Sequence, residues 1–175
     1  MSLRPVSEAD LPRLLEILAD ERVIPWWGVN DAASLREEVG SDDVLAWVIL
    51  AAAPAPAAAP APAAAPAPSE VCGMVEVTEE LEPNYRGVEL DIFLAPERWG
   101  QGLAADALRT ALRHLFQERG HHRAMIVPAL PNERAIRSYE SVGFKPVGVM
   151  RQSDRGPDGV WRDSLVMDLL ANELR

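Results

Sequence analysis

A mixed α/β fold, one sheet covered by helices, is what this 175-residue sequence predicts. Two observations carry it: stretches with apolar residues every three or four positions, and shorter β-rich runs placed between them. Residues 2–6 read as a strand, and residues 7–19 as a helix capped by Ser7, with Asp10 in its first turn. Leu11, Leu14, Leu15 and Leu18 form that helix's apolar stripe. Residues 31–39 read as a second helix, led by Asn30 or Asp31. Two strands follow, Val44 to Leu50 and Val71 to Val77, then a strand over 87–94. Residues 103–119 give the strongest amphipathic helix, with Ala104, Leu108, Ala111, Leu112, Leu115 and Phe116 on one face and Gly120 at its end. Ala124 to Val127 is a strand, 132–142 a helix closed by Gly143, and 144–152 and 161–170 are strands around an Arg-Gly-Pro-Asp-Gly turn. The predicted order is β-α-α-β-β-β-α-β-α-β-β.

One segment breaks the pattern. Residues 51–68 are three copies of Ala-Ala-Ala-Pro-Ala-Pro. Proline at this density stops both helix and ladder, and nothing in the tract is large enough to bury. It reads as an exposed, polyproline-like loop insertion between two paired strands, a length that loop-closure entropy tolerates. The expectation is therefore one domain over 1–175.

Composition narrows the function. Apolar residues at 48% and charged residues at 25% match a soluble domain, and no run is long enough for a membrane helix. The N-terminal stretch turns polar at once, unlike a secretory signal. A single cysteine, Cys72, rules out an internal disulfide and a cysteine-rich metal site, and fits a cytoplasmic location. The net charge of −10 argues against nucleic acid as the partner and admits a cationic one.

Chemistry is concentrated in two segments. Leu94-Ala95-Pro96-Glu97-Arg98-Trp99-Gly100-Gln101-Gly102-Leu103-Ala104 joins a strand to the strongest helix. A helix start offers unpaired N–H groups and the positive end of the dipole, and glycines let that backbone close around a phosphate. The spacing is neither the dinucleotide fingerprint, which needs a third glycine, nor a Walker loop, which needs a Gly-Lys-Ser/Thr. The second segment, Asn132 to Phe144, follows the next strand and fits N-x-x-A-x-x-x-Y-x-x-x-G-F. With G-x-G-x-A opening the preceding helix, the chain resembles the GNAT superfamily of N-acyltransferases over essentially its whole length outside the Ala-Pro tract.

That resemblance implies a GNAT-like, mostly antiparallel central sheet and binding of acetyl-CoA, without a metal. The pyrophosphate would rest on the amides of Gly100, Gln101, Gly102, Leu103, Ala104 and Ala105. The pantetheine arm would lie in a gap between strands 87–94 and 124–127, pairing with backbone near Leu94 and held by Asn132, with Tyr139 facing the thioester sulfur. Many members carry Arg or Gln just before the first loop glycine. Here Trp99 stands there, and Arg98, one place earlier, is the side chain left to reach a phosphate.

Acetyl transfer to an amine needs a base, because an alkyl ammonium with a pKa of about 10.4 is mostly protonated at neutral pH. Glu89 and Asp91, two residues apart on one strand, share a face. They can serve as base and as acceptor ligands, or simply meet solvent. Tyr139 can protonate the leaving thiolate or pack in the core. His114, His121 and His122 read as surface residues and Cys72 as packing. Seven acids between Glu70 and Asp91 face one base, Arg86, a field suited to a polycation.

Trp26-Trp27-Gly28 before the second helix, the acid on the strand ahead of the loop, and the Asn132–Tyr139 run look like the aminoglycoside 6'-N-acetyltransferases. That narrower resemblance implies Trp26 and Trp27 beside the acceptor, with Glu89 or Asp91 contacting its amines; the two tryptophans could equally plug the core. It also implies an antibiotic-resistance role, and a homodimer is one arrangement it allows. The alternatives are a peptide or siderophore-precursor N-acyltransferase and a non-catalytic acyl-CoA-binding scaffold.

Overall fold

The computed structural model describes residues 1–41, 43–52 and 69–175. Seven strands form a single sheet in the order β1-β2-β3-β4-β5-β7-β6. They are β1 (Ser2–Pro5), β2 (Val44–Ala52), β3 (Ser69–Glu80), β4 (Gly87–Leu94), β5 (Arg123–Ile126), β6 (Lys145–Arg155) and β7 (Trp161–Leu170). Every neighbouring pair is antiparallel except β4 and β5. Helices α1 (Leu11–Leu18), α2 (Ile24–Trp27) and α3 (Ala32–Val39) precede β2, while α4 (Leu103–Gln117) and α5 (Glu133–Val142) flank β5 in sequence.

The predicted order holds, with one addition. The four-residue α2 escapes a periodicity argument because one turn is too short to show an apolar stripe. Ala51 and Ala52 extend β2 rather than beginning the loop, and Ala52 pairs with Ser69. The rest of the Ala-Pro tract, 53–68, lies outside the described residues. The first helix starts as a tight turn over Glu8–Asp10. Buried Asp10 pins it there, accepting Arg4 through two contacts of 2.7 Å and the Ser7 amide at 2.9 Å.

Apolar side chains fill both faces of the sheet. On one, Leu108, Ala111, Leu112 and Leu115 of α4 and Tyr139 and Val142 of α5 pack over Val75, Val77, Val88, Leu90 and Ile126. On the other, Leu11, Leu14, Leu18 and Leu35 pack over Val48, Met74 and Phe93. The alternation along β4 follows: Val88, Leu90 and Leu94 serve the first core, Phe93 the second.

His121 departs from the expectation of a surface histidine. It is 2% exposed. Gly120, at φ +74°, turns the chain back under α4, where the His121 amide donates to Leu115 O and Nε2 lies 2.6 Å from Glu79 Oε1. Arg119 clamps the same carboxylate. The glycine ends the helix as predicted, but the residue after it is folded in by a buried acid forty-odd positions upstream. His122 is exposed and His114 stacks edge-on against Trp47.

Candidate active site

β4 and β5 separate partway along their length. Val88, Glu89 and Leu90 pair with Ala124, Met125 and Ile126, and there the ladder stops. Beyond Ile126 the chain follows β7 instead: Pro128 O accepts from Leu165, and Ala129 bridges Ser164. Pro128 has no N–H to offer β4, so the ladder lacks a donor there. β4 meanwhile stays with β3 to its end, where Gly73 faces Leu94. A Cβ on Gly73 would stand 2.1 Å from Phe93 O, so glycine permits this close approach. The β2–β3 register slips beside it, between Ile49 and Leu50 of β2, leaving Cys72 as the extra residue of β3.

The wedge between the strands is a cavity of about 400 Å³ running through the sheet. Trp26, Trp27 and Asp91 line it from the α1–α3 side, and Gly100, Gly102, Ala104, Ala105, Asn132 and Tyr139 from the α4–α5 side. It is the point where the two faces of the molecule communicate.

The loop into α4 has the geometry of an anion cradle. Gly100 and Gly102 sit at φ +74° and +78°, left-handed values that favour glycine, and a Cβ at either would meet nothing within 4 Å. Gly102 directly precedes the fifteen-residue α4, and the first turn of that helix lines the cavity, so its unpaired amides and positive dipole end lie at the cavity wall. Leu94, Leu103, Ala104 and Ala105 also line the cavity. The Gln101 side chain does not; it folds back to Glu97 O at 2.9 Å. Asn132 caps α5, accepting the Ala135 amide at 3.2 Å, and lines the cavity.

Arg98 is engaged elsewhere. Its guanidinium is buried, ion-paired to Glu70 and donating to Ala52 O at 3.0 Å. Trp99, beside it, donates from Nε1 to Leu94 O at 2.9 Å. The guanidinium of Arg134 stacks on that indole at 3.5 Å from the ring centroid. Arg134 went unremarked in the sequence because nothing in a single chain says that α5 will face Trp99.

Glu89 and Asp91 share a face, as alternation requires, but only Asp91 lines the central cavity. Glu89 lines a second depression of about 390 Å³ with Thr78, Tyr85 and Arg123. Asp91 is open to solvent through the cleft mouth, yet protein crowds its carboxylate. That desolvation, with the charges of Glu89 and Glu38, pushes it up to about 7. Its partner across the ladder is Glu76, which has one carboxylate oxygen buried and unpartnered among the described residues. Burial, a hydrogen bond shared with Glu38, and the charges of Glu38 and Asp91 hold Glu76 above the usual carboxylate range. Of the seven acids counted from Glu70 to Asp91, Glu70 and Glu79 are spent on Arg98 and on Arg119 with His121.

Tyr139 is 7% exposed and packs at a tilt on Phe144. Burial, then the nearby Asp91 charge, raises its phenol well above the ordinary value. Trp27 stacks edge-on against Phe93 with centroids 4.8 Å apart, and Trp26, 40% exposed, stands at the cavity wall. The predicted tryptophans, acid, glycine loop, asparagine and tyrosine thus meet at one wedge; Glu89, Gln101 and Arg98 have side chains directed to neighbouring features.

A sheet wedged open between two parallel strands, over a glycine-opened helix, is the arrangement that the resemblance in the sequence implied. The model for the "Acetyltransferase (GNAT) domain" matches residues 1–145, and the chain belongs to that family. It is an acetyltransferase of a family that takes its acetyl group from acetyl-CoA. The chain is 28% identical over 162 residues to aminoglycoside N(6')-acetyltransferase type 1 of Klebsiella pneumoniae, covering 90% of this chain and 79% of that one. It is 33% identical over 77 residues to spermidine N(1)-acetyltransferase of Vibrio cholerae, covering 43% of this chain and 44% of that enzyme. In fold it resembles the crystal structure of spermidine N-acetyltransferase from Vibrio cholerae in complex with CoA and spermine, with a TM-score of 0.77 at 21% identity over 98% of this chain and 96% of that one. No helix among the described residues is long and apolar enough to cross a membrane, and no group of three or more His, Cys, Asp or Glu there could hold a metal ion.

Proposed function

We propose that this protein transfers acetyl from acetyl-CoA to a primary amine of a small polycationic acceptor of the aminoglycoside class. The observation that carries the reading is Asp91: a carboxylate inside the wedge, shifted to about 7, with two further acids behind it and two tryptophans beside it. The similarity to an aminoglycoside acetyltransferase over 90% of the chain supports the choice of acceptor. A polyamine acceptor has a weaker support, the partial similarity to a spermidine acetyltransferase.

The open glycine loop suits the phosphates of acetyl-CoA, and the cavity of about 400 Å³ suits its pantetheine arm. Acetyl-CoA supplies an acyl carbon activated as a thioester. Asp91 holds the acceptor's ammonium and takes its proton, freeing the nitrogen lone pair to form the C–N bond. Trp26 and Trp27 wall the acceptor side and offer faces on which a cationic ring can rest. As the C–S bond breaks, the Tyr139 hydroxyl gives its proton to the sulfur, and the phenolate takes back the second proton that the acetylated nitrogen sheds on becoming an amide. The raised phenol pKa makes the phenolate a strong base for that return. Asn132 donates from its side-chain amide along the arm. Glu89, outside the wedge but near enough to act on Asp91, adds to the field that draws a polycation in. The domain works as one unit over 1–175, and a cytoplasmic location matches a reaction that consumes acetyl-CoA.

The test is release of CoA thiol across aminoglycosides, spermidine, spermine, hydroxamates and peptides. An aminoglycoside preferred by kcat/KM supports the reading. Preference for a neutral or peptide acceptor ends it.

A further inference from the structure

Many members of the family carry Arg or Gln just before the first loop glycine, and here the residue is Trp99. Its neighbour Arg98 is no substitute, being buried against Glu70. The cradle would then rest on backbone amides alone. Arg134 stands nearest the indole among the cavity-lining arginines. Arg134 is the second residue of α5, lines the wedge, and lies flat on Trp99 at 3.5 Å. Trp99 is itself fixed by its bond to Leu94 O, so the stacked plane is held in one place.

Arg134 is also uncommitted. Among the described residues it makes no ion pair, whereas the other cavity-lining arginines do: Arg98 with Glu70, and Arg137 with Glu133. The chain is rich in acids, and most of its arginines have found one. A guanidinium kept on an aromatic face, beside Gly100 and the start of α4, retains its five donors for a ligand. Partial desolvation of the group lowers its pKa slightly, a cost that an anionic ligand would reverse.

We propose that Arg134, held on Trp99, is a phosphate-recognition residue that binds the pyrophosphate of acetyl-CoA and replaces the cationic side chain missing before Gly100. The inference rests on the acetyl-CoA reading. Geometry favours the pyrophosphate over the 3'-phosphate, because Trp99 is adjacent to the glycine loop that would cradle the diphosphate. A planar fork suits a phosphate better than an ammonium would, and the indole presets its orientation.

The experiment is calorimetry on the full chain with CoA, dephospho-CoA and pantetheine, comparing the parent with Arg134→Met and Arg134→Lys. Methionine keeps contact with the indole and loses the charge; Arg134 is exposed, so both variants should melt with the parent. Arg134→Met should weaken CoA and dephospho-CoA alike, by about 10- to 100-fold, as for a hydrogen bond to a charged group. Pantetheine, which has no phosphate ester, should bind the parent and Arg134→Met equally. Arg134→Lys should fall between them. Unchanged CoA affinity in Arg134→Met overturns the proposal. So does a loss seen with CoA but absent with dephospho-CoA, which would move the contact to the 3'-phosphate. An equal loss with pantetheine also overturns it, making the residue structural. A parent chain that binds none of the three would instead sink the acetyl-CoA reading, and this proposal with it.

Discussion

Replacing Asp91 with asparagine separates charge from shape at the centre of the wedge. A base acts only when deprotonated, so activity should be lost as pH falls through its pKa. With that value near 7, the ionised fraction of Asp91 rises from about one-tenth at pH 6 to about nine-tenths at pH 8. The parent's kcat/KM for the acceptor, with acetyl-CoA saturating, should therefore climb about tenfold over that window. Asp91→Asn should lose about 10²- to 10⁴-fold in kcat, and its remaining rate should not follow that curve. The same shift makes a second, independent statement about stability. The folded carboxyl is raised above its ordinary value near 3.8, so the folded state holds the proton more tightly. Its contribution is fully present below that ordinary value and is lost as pH rises through about 7. Asp91→Asn should then melt above the parent at pH 8, with the difference closing toward about pH 4. Because the group meets solvent in the cleft, the gain should be much smaller than the shift alone implies. A slow variant with a raised Tm is a folded enzyme without its base. A variant whose kcat/KM still rises about tenfold between pH 6 and 8 would refute the assignment.

Tyr139→Phe keeps the ring on Phe144 and removes the hydroxyl, so kcat should drop by roughly 10²-fold or more while acceptor KM and Tm hold; equal turnover would leave Tyr139 a core residue. Gly73→Ala would put a methyl carbon 2.1 Å from Phe93 O, and the β3–β4 pairing beside the wedge must part to admit it. A loss of about 2–4 kcal/mol by urea denaturation is expected; an unchanged midpoint would show that the strands approach less closely. Glu79→Ala leaves buried His121 and the Arg119 guanidinium without their shared partner. It should cost about 3 kcal/mol by the same assay, and a cost below about 1 kcal/mol would mean the cluster is solvated.

Much of the fold was legible because its elements repeat their pattern often enough to be counted. Leu108, Leu112 and Leu115 declare α4, and Val88, Leu90, Ile92 and Leu94 declare β4. The one-turn α2 offers no second turn to compare. The candidate site was legible where the geometry is local: Gly100 and Gly102 turn the chain into α4, and Asn132 caps α5. It was not legible where the decision is tertiary. Glu89 and Asp91 look equivalent on a strand, and only the course of β5 after Ile126 assigns one of them to the wedge. Arg98 and Arg134 look interchangeable as cations until Glu70 claims the first and Trp99 receives the second. His121 follows a helix-ending glycine, a position that normally faces solvent, and is drawn inward by Glu79.

These tertiary choices give the wedge a polarity that the net charge of −10 conceals. Toward α4 and α5 lie two helix starts and the guanidinium of Arg134. Toward α3 lie Asp91, Glu76 and Glu38, crowded enough that the first two are held above the usual carboxylate range. An anionic donor and a cationic acceptor entering such a wedge would sort themselves to opposite sides of the sheet, meeting only where β4 and β5 part. The arrangement also explains why the acids are tolerated. Repulsion among Glu38, Glu76, Glu89 and Asp91 is a cost to the empty fold, relieved by protons or by a bound polycation. Binding of such an acceptor should therefore release protons near neutral pH, as Asp91 and Glu76 fall back toward ordinary values. Calorimetry in two buffers of different ionisation enthalpy reads that release directly. An acceptor that binds at pH 7 with no proton exchanged beyond its own would mean these carboxylates do not sense it, and the acidic wall would then lie outside the acceptor's reach.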